Sequence, residues 1–183
     1  EAVIIEGRIS TYSPQSKYQI IIDKIESEGE GSLLKTLEET KKKLLKEGIF
    51  DKKNKKEIPF IPKKICVITS ENGSVIKDII HRIKARFPSE ILIFPVKVQG
   101  KECVKQIIGA LEKINDNKFK FYIDVIIIAR GGGSLEDLMP FNDEQLVRGV
   151  FKSEIPVISA IGHETDVTLC DFAADLRAPT PTA

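Results

Sequence analysis

Two short stretches of this sequence combine residue types that suit chemistry on phosphate groups. The first runs from Arg130 through Gly131, Gly132 and Gly133 to Ser134. Backbone N–H groups of glycine can approach an anion closely because no side chain intervenes, and the guanidinium of arginine is a planar, two-pronged donor. A flexible turn between a strand and a helix is the alternative, although arginine is a poor choice for a purely structural strand end. We therefore predict that this stretch contacts phosphate.

The residues that follow the glycines exclude two well-known kinds of phosphate site. No Lys-Ser or Lys-Thr pair comes after them, as it does in a Walker P-loop, and the GxGxxG spacing of dinucleotide-binding folds is absent. Nucleoside triphosphate and dinucleotide binding are therefore disfavoured. Ser134 is expected to cap a helix. Glu136 and Asp137 fall in its first turn, where acidic side chains favour the helix dipole and need no catalytic role.

The second stretch, residues 162–166, reads Gly-His-Glu-Thr-Asp. Histidine can transfer protons near neutral pH or bind a metal ion. His163 and Asp166 are three residues apart, so they would share one face if a helix started at this loop. The other histidine, His81, is expected in the middle of a helix beside Arg82, with a surface or packing role. We predict that His163 and Asp166 are functional.

A third polar loop, residues 69–74, also follows an apolar run. It contains Ser70, which we include among the predicted phosphate-contacting residues, and Asn72, which is expected to cap the next helix. Asp78 lies within the apolar pattern of that helix. A surface carboxylate and a functional carboxylate explain it equally well from the sequence pattern, so the pattern leaves this residue open.

The apolar periodicity predicts the elements that must position these loops. Helices are expected at Gly73–Phe87 and Lys101–Ile114, with short ones from Ser134, from Asn142 and near Thr165. Continuous apolar strands alternate with them, which indicates an α/β fold with an open, mainly parallel sheet and helices on both faces. The carboxyl ends of such strands meet at one edge of the sheet, so the three loops should lie there together. The predicted strands are Lys64–Thr69, Ile91–Val96, Asp124–Ala129 and Pro156–Ala160.

The first part of the sequence has a different pattern. Residues 2–11 and 17–25 read as two strands joined by a turn at Ser13–Gln15, and residues 30–47 read as a helix. An isolated hairpin is marginally stable in water, so these strands are expected to belong to a larger sheet. Residues 52–64 read as a basic linker.

Composition bounds the class of protein. The chain has 183 residues, of which 42% are hydrophobic and 30% charged, and no apolar run is long enough to span a membrane. Its net charge of +1 is uneven, because residues 41–64 alone carry +7. That segment is either a solvated surface or a contact for phosphate backbones. Three scattered cysteines fit free thiols in a reducing cytosol rather than a zinc site. The start at Glu1 resembles the inside of a longer protein, and residues 177–182 resemble an extended exit.

Together these stretches resemble a known family, the large subunit of exodeoxyribonuclease VII. The similarity covers essentially the whole chain, and its most specific parts are RGGGSLEDL and the run from GHETD to DLRAPTPTA. Other matching parts are ICVITSENGSVIKDI and EGRISTYSP. The resemblance implies that catalytic residues fall at Asp78, Arg130, His163 and Asp166, which makes a functional role the expectation for Asp78.

The resemblance also implies an organisation and an activity. Residues 1–28 would be the last strands of an oligonucleotide-binding (OB-like) barrel, 29–63 a helix and basic linker, 64–176 the catalytic domain, and 177–183 the start of a connection to a coiled coil. The expected activity is cytoplasmic hydrolysis of single-stranded DNA from either end, which releases oligonucleotides. A small subunit would bind through the C-terminal region. No cofactor is expected to be required, although a divalent metal such as Mg²⁺ is compatible with the chemistry.

Two alternatives stay open at the level of sequence. One is a metal-dependent phosphoesterase in which His163, Asp166 and Asp78 are the ligands. The other is a module that binds single strands through its lysines without cutting them. It ranks last, because it leaves the loops of His163 and Arg130 without an obvious purpose.

Overall fold

The computed structural model describes residues 3–12, 17–27, 30–116 and 123–183. The chain divides into two compact units, Glu1–Lys42 and Lys43–Ala183.

The first unit contains an antiparallel hairpin. Strands β1 (Val3–Tyr12) and β2 (Lys17–Ser27) pair along their length, with a register shift between Glu6 and Gly7. Both predicted strands are confirmed, whereas the predicted turn at Ser13–Gln15 lies outside the described residues. Several apolar side chains of the hairpin are exposed to solvent, and this exposure is compatible with the predicted membership of a larger sheet. They are Ile5, Ile9, Ile20, Ile21 and Ile22.

Helix α1 (Glu30–Lys46) follows the hairpin and agrees within one residue with the predicted helix. It continues from the first unit into the second. Within the second unit its last turns bury Leu44 completely, and Lys43 donates to the carboxylate of Glu144 at 2.8 and 2.9 Å.

A five-stranded parallel sheet forms the centre of the second unit, in the order β4-β3-β5-β6-β7. The four predicted strands are confirmed, each within one residue of its expected start and end. A fifth strand, β7, was not predicted, because two residues are too short to show a period. The strands are β3 (Lys64–Thr69), β4 (Glu90–Pro95), β5 (Val125–Arg130), β6 (Val157–Ile161) and β7 (Leu176–Arg177).

Helices cover both faces of this sheet, as predicted. Helix α2 (Ser74–Arg86) buries Ile76 and Ile79 against one face, in a cluster with apolar side chains of β3, β5 and β6. On the opposite face, α6 (Leu169–Ala173) carries Asp171, whose Oδ1 accepts a hydrogen bond from Ser159 of β6 at 2.6 Å. Helices α3 (Cys103–Asn115), α5 (Glu144–Lys152) and α6 pack in succession, α3 on α5 and α5 on α6.

Three local predictions are wrong. Asn72 does not cap α2, because Gly73 occupies the cap position and no side chain bonds there. The helix expected near Thr165 begins only at Leu169, where Thr168 and Asp171 form a capping box. The expected extended exit at residues 177–182 instead begins in β7 and then closes a turn, in which Ala183 N donates to Thr180 O at 3.1 Å.

One lysine of the basic linker is held by hydrogen bonds to the main chain of α6. After a 3₁₀ turn at Lys52–Asn54, Lys55 donates to the main-chain carbonyls of Phe172 and Ala173 at the end of α6. Partial burial lowers the pKa of Lys55, although the nearby Asp175 opposes that effect. At least this lysine therefore serves the fold.

The three cysteines are free thiols, and all are buried. Burial raises the pKa of Cys66 and Cys103 to about 11, and it raises the pKa of Cys170 as well. No helix among the described residues is long and apolar enough to cross a membrane.

These thiols should react slowly in the native protein. At pH 8 the raised pKa values keep them protonated, and the thiolate is the reactive form. We expect little labelling by iodoacetamide in buffer and labelling of all three thiols in concentrated urea, measured by intact mass. Fast labelling of any one of them in the native protein would show that this thiol is not buried.

Candidate active site

The ends of three adjacent strands bring the predicted loops to one edge of the sheet. Strand β5 lies between β3 and β6, so the loop after Arg130 is flanked by the loops that follow Thr69 and Ile161. The amide of Gly162 donates to the carbonyl of Arg130 at 2.9 Å, which joins two of these loops directly. The shared edge predicted from the strand pattern is therefore confirmed.

Arg130 is the last residue of β5, and its side chain is only 5% exposed. Its Nη2 atom lies 3.2 Å from Oδ2 of Asp137, whose side chain is 43% exposed. Within the described part of the chain, the buried Nη1 atom has no hydrogen-bond partner. The guanidinium is thus held on one side and has unused donor capacity on the other.

The sequence did not reveal the role of Asp137 as the ion-pair partner of Arg130. Its place in the first turn of α4 (Leu135–Leu138) was predicted correctly, and so was the cap, in which Ser134 Oγ accepts from Asp137 N at 3.3 Å. A carboxylate seven residues from an arginine carries no recognisable spacing signal. The only available clue was that opposite charges flank a glycine triplet.

The glycine triplet lies close to the side chains of His163 and Arg130, which were predicted to be functional. A Cβ atom on Gly132 would lie 1.8 Å from Cε1 of His163, and one on Gly133 would lie 2.6 Å from both Nη atoms of Arg130. A Cβ on Gly131 would meet only Val75 of α2, at 3.4 Å. The absence of side chains therefore lets the imidazole and the guanidinium flank one short loop.

Helix α4 is a single turn, which changes how this loop could bind an anion. A longer helix after the glycines would add favourable partial charge at its N-terminus. A four-residue helix sums few peptide dipoles, so its contribution is small. The main-chain N–H groups of the loop and the guanidinium of Arg130 are the stronger donors here.

His163 and Asp166 are brought together by a turn rather than by a helix, which corrects the prediction. Asp166 N donates to His163 O at 3.0 Å, and His163 N donates to Asp166 Oδ2 at 2.8 Å. Nδ1 of the imidazole lies 3.6 Å from the same carboxylate oxygen. The side chain of His163 is 72% exposed and that of Asp166 24%. Asp166 thus faces one ring nitrogen, Gly132 lies against the ring, and most of the remaining imidazole surface is exposed.

Arg177 supports this turn and Asn142 fixes the chain after it, and sequence reasoning missed both contacts. Arg177 of β7 donates through Nη2 to the carbonyls of Glu164 and Asp166, at 2.8 and 3.0 Å. The buried side chain of Asn142, in the 3₁₀ helix Met139–Asn142, accepts from Leu169 N at 2.8 Å. The segment after the glycine triplet is thereby tied to the segment after His163.

Asp78 and Ser70 lie at the margin of this arrangement. Asp78 is exposed on α2, three residues after Val75, so it shares the helix face that meets Gly131. No hydrogen bond or ion pair links its carboxylate to the described residues. Ser70 is half-buried, and its Oγ lies 2.6 Å from the point that a Cβ on Gly73 would occupy. The structure therefore joins Arg130 and His163 through the glycine triplet and leaves these two beside it.

No group of three or more His, Cys, Asp or Glu side chains is arranged to hold a metal ion anywhere in residues 3–12, 17–27, 30–116 and 123–183. The triad of His163, Asp166 and Asp78, considered above as a ligand set, is not assembled as one. What the geometry does assemble is an imidazole with a carboxylate beside it and a buried guanidinium across a glycine loop. Such a set can transfer a proton and stabilise negative charge.

Comparison with known proteins identifies the family of this chain. A family model described as "Exonuclease VII, large subunit" matches residues 49–183. Proteins named exodeoxyribonuclease 7 large subunit are similar over almost the whole chain. The one from Bartonella bacilliformis is 56% identical over 183 residues, which cover 98% of this chain and 38% of that protein.

Two further relatives with the same name agree. The protein from Anaplasma marginale strain Florida is 54% identical over 99% of this chain and 45% of its own length. For Rickettsia canadensis the identity is 53%, over 99% of this chain and 40% of that protein. The chain thus spans less than half the length of these curated relatives. The extent of these matches shows that the chain belongs to the exonuclease VII large-subunit family.

Proposed function

We propose that this chain is the catalytic part of a cytoplasmic exodeoxyribonuclease VII large subunit. It hydrolyses phosphodiester bonds of single-stranded DNA from either end and releases oligonucleotides. The observation that carries the proposal is the meeting of His163 and Arg130 on either side of one glycine loop. The relatives are named exodeoxyribonuclease 7 large subunit, and this name supports the proposed activity. A small subunit would bind through a region outside this chain.

His163 is the proposed proton-transfer group. Hydrolysis forms a bond between a water oxygen and phosphorus and breaks the bond to the leaving oxygen, so one proton must leave the water and one must reach the leaving group. The accessible imidazole suits either task, which typically contributes about 10²–10⁴-fold. Asp166 faces Nδ1 at 3.6 Å and also binds the His163 amide, which supports Asp166 as the orienting carboxylate.

Arg130 and the glycine loop are proposed to stabilise the negative charge of the transition state. The phosphate oxygens gain negative charge in the transition state, and prearranged donors lower its energy. The Nη1 atom of Arg130 and the N–H groups of Gly131, Gly132, Gly133 and Ser134 are the donors of this site. Losing one such donor typically costs about 3–4 kcal/mol of transition-state stabilisation.

Asp78 and Ser70 complete the proposed site. Asp78 lies on the helix face that meets the glycine loop, where an exposed carboxylate can take the second proton-transfer role. Ser70 follows β3 at the same edge and would contact the DNA backbone through its hydroxyl. No cofactor is proposed to be required, and Mg²⁺ is compatible with binding to the DNA phosphates.

Cleavage by the full-length large subunit with its small subunit tests this function. Single strands labelled at the 5′ or the 3′ end should be shortened to oligonucleotides by the wild-type complex. We expect His163→Ala and Asp166→Ala each to lose most of this cleavage, because the proton-transfer group or its orienting carboxylate is missing. His81→Ala is the matched control and should cleave normally, since His81 is exposed on α2.

Three outcomes would overturn parts of the proposal. Full activity of both His163→Ala and Asp166→Ala would show that the site is wrong. Complete loss of cleavage on adding EDTA would favour the metal-dependent phosphoesterase. Binding of single strands with a steep salt dependence and no cleavage product would favour the non-catalytic module.

A further inference from the structure

Asp137 lies where it can control the orientation of Arg130. We propose that Asp137 is a positioning residue, which holds the guanidinium so that its Nη1 side faces the substrate phosphate. This inference rests on the proposed function, because it assigns a partner to the arginine of that site. It also revises the sequence-based expectation that Asp137 serves the helix dipole alone.

The ion pair is formed at one side of the guanidinium only. Nη2 of Arg130 lies 3.2 Å from Asp137 Oδ2, while the buried Nη1 lacks a hydrogen-bond partner within the described residues. A buried donor without an acceptor destabilises the folded protein. A phosphate oxygen arriving at the loop would satisfy it, and arginine commonly binds phosphate through two parallel N–H groups. The unsatisfied atom therefore marks the side on which the substrate binds.

Asp137 is itself held in place by the local backbone. Its amide donates to Ser134 Oγ at 3.3 Å, and Leu138 N donates to Ser134 O at 3.2 Å, so the single turn of α4 is closed on both sides of Asp137. These two bonds fix the main chain of Asp137, which limits where its carboxylate can lie. A side chain can orient another group only if its own main chain is held in place.

Because Gly133 has no side chain, the ion pair between Arg130 and Asp137 can lie directly against the glycine loop. A Cβ there would lie 2.6 Å from Nη1 and Nη2 of Arg130 and 2.8 Å from Asp137 Oδ2. No real Cβ tolerates such distances, so any larger residue would push the pair apart. The carboxylate, the guanidinium and the glycine loop thus form one contiguous unit beside the proposed phosphate position.

The pair is poorly suited to a purely stabilising role. Asp137 is 43% exposed, so solvent screens its charge and weakens its contribution to stability, although its partner Arg130 is buried. The neighbouring Glu136 is exposed and has no side-chain partner among the described residues. It therefore provides a matched control with the same charge in the same helical turn.

The test uses the full-length large subunit in complex with its small subunit. Asp137→Asn keeps the size of the side chain and removes its charge, so the guanidinium loses its orientation. We expect kcat on a labelled single strand to fall about 10²-fold, the loss typical of a misplaced catalytic group. KM should stay unchanged or fall, since the positive charge of Arg130 is no longer neutralised. Glu136→Gln should leave kcat, KM and the melting temperature unchanged.

A double-mutant cycle shows whether Asp137 acts through Arg130. Asp137→Asn should have no further effect on kcat in an Arg130→Gln background, because the group that it positions is absent. Asp137→Glu keeps the charge and should recover part of the activity. Additive losses in the double variant, or a loss of kcat in Asp137→Asn that a smaller folded fraction fully accounts for, would overturn the inference and assign Asp137 to folding.

The proposed function and this inference fail in different ways. If Arg130→Gln and His163→Ala retain full cleavage, the proposed site itself is wrong. If both lose cleavage while Asp137→Asn retains wild-type kcat, the site stands and only the positioning role of Asp137 is overturned.

Discussion

A single methyl group added at Gly132 should reduce cleavage of single-stranded DNA by about 10²–10⁴-fold, the usual contribution of a proton-transferring side chain. The new Cβ of Gly132→Ala would lie 1.8 Å from Cε1 and 2.1 Å from Nδ1 of His163. The imidazole must therefore rotate away from the glycine loop. Because His163 is 72% exposed, the ring can move into solvent, and the melting temperature should change little.

The neighbouring glycine is the matched control for this prediction. A Cβ on Gly131 meets only Val75 Cγ2 at 3.4 Å, and neither Gly131 nor Gly132 has the positive φ that disfavours alanine. Gly131→Ala keeps its main-chain N–H and does not displace His163, so it should lose much less cleavage than Gly132→Ala when rates are measured with end-labelled strands. Equal rates for the two alanine variants would show that the position of His163 beside Gly132 is unimportant.

Replacing Asp175 with alanine should destabilise the Lys43–Ala183 unit by about 2–4 kcal/mol. The Asp175 side chain is 2% exposed and accepts from the amides of Lys56 and Val157 at 2.8 and 2.7 Å, with Lys56 Nζ at 3.1 Å. Alanine leaves these donors unpaired, and each buried donor without a partner costs about 1–3 kcal/mol. The free energy of unfolding, measured by urea denaturation and circular dichroism, reports the change.

Glu112→Ala serves as the control for Asp175→Ala. Glu112 is an exposed carboxylate on α3, so its loss should change the free energy of unfolding by less than about 0.5 kcal/mol. An unchanged stability of Asp175→Ala would mean that water replaces the carboxylate. The segment from Lys56 to β6 would then not depend on this contact.

The parallel sheet was predictable because its signal is local. Runs such as Lys64–Thr69 and Val125–Arg130 contain continuous apolar residues, and such runs separated by helical periods leave few topologies open. Ser134 as a cap was equally local, since a serine before an acidic first turn is a strong start signal. The cap of α2 was misassigned because Gly73 takes the position expected for Asn72, and the helix expected near Thr165 begins four residues later, behind a cap at Thr168.

The sequence by itself determined that the loops after Arg130 and after Ile161 meet at one edge, because parallel strands place their carboxyl ends together. Only the tertiary structure decided which side chains touch there. The contacts of Gly132 with His163, and of Arg177 with the turn at residues 163–166, join positions 11 or more residues apart. They depend on β5 lying beside β6, on β7 extending the sheet, and on the direction of each side chain. None of these leaves a periodic signal, and so the spacing that suggested a helix for His163 and Asp166 instead reflects a turn.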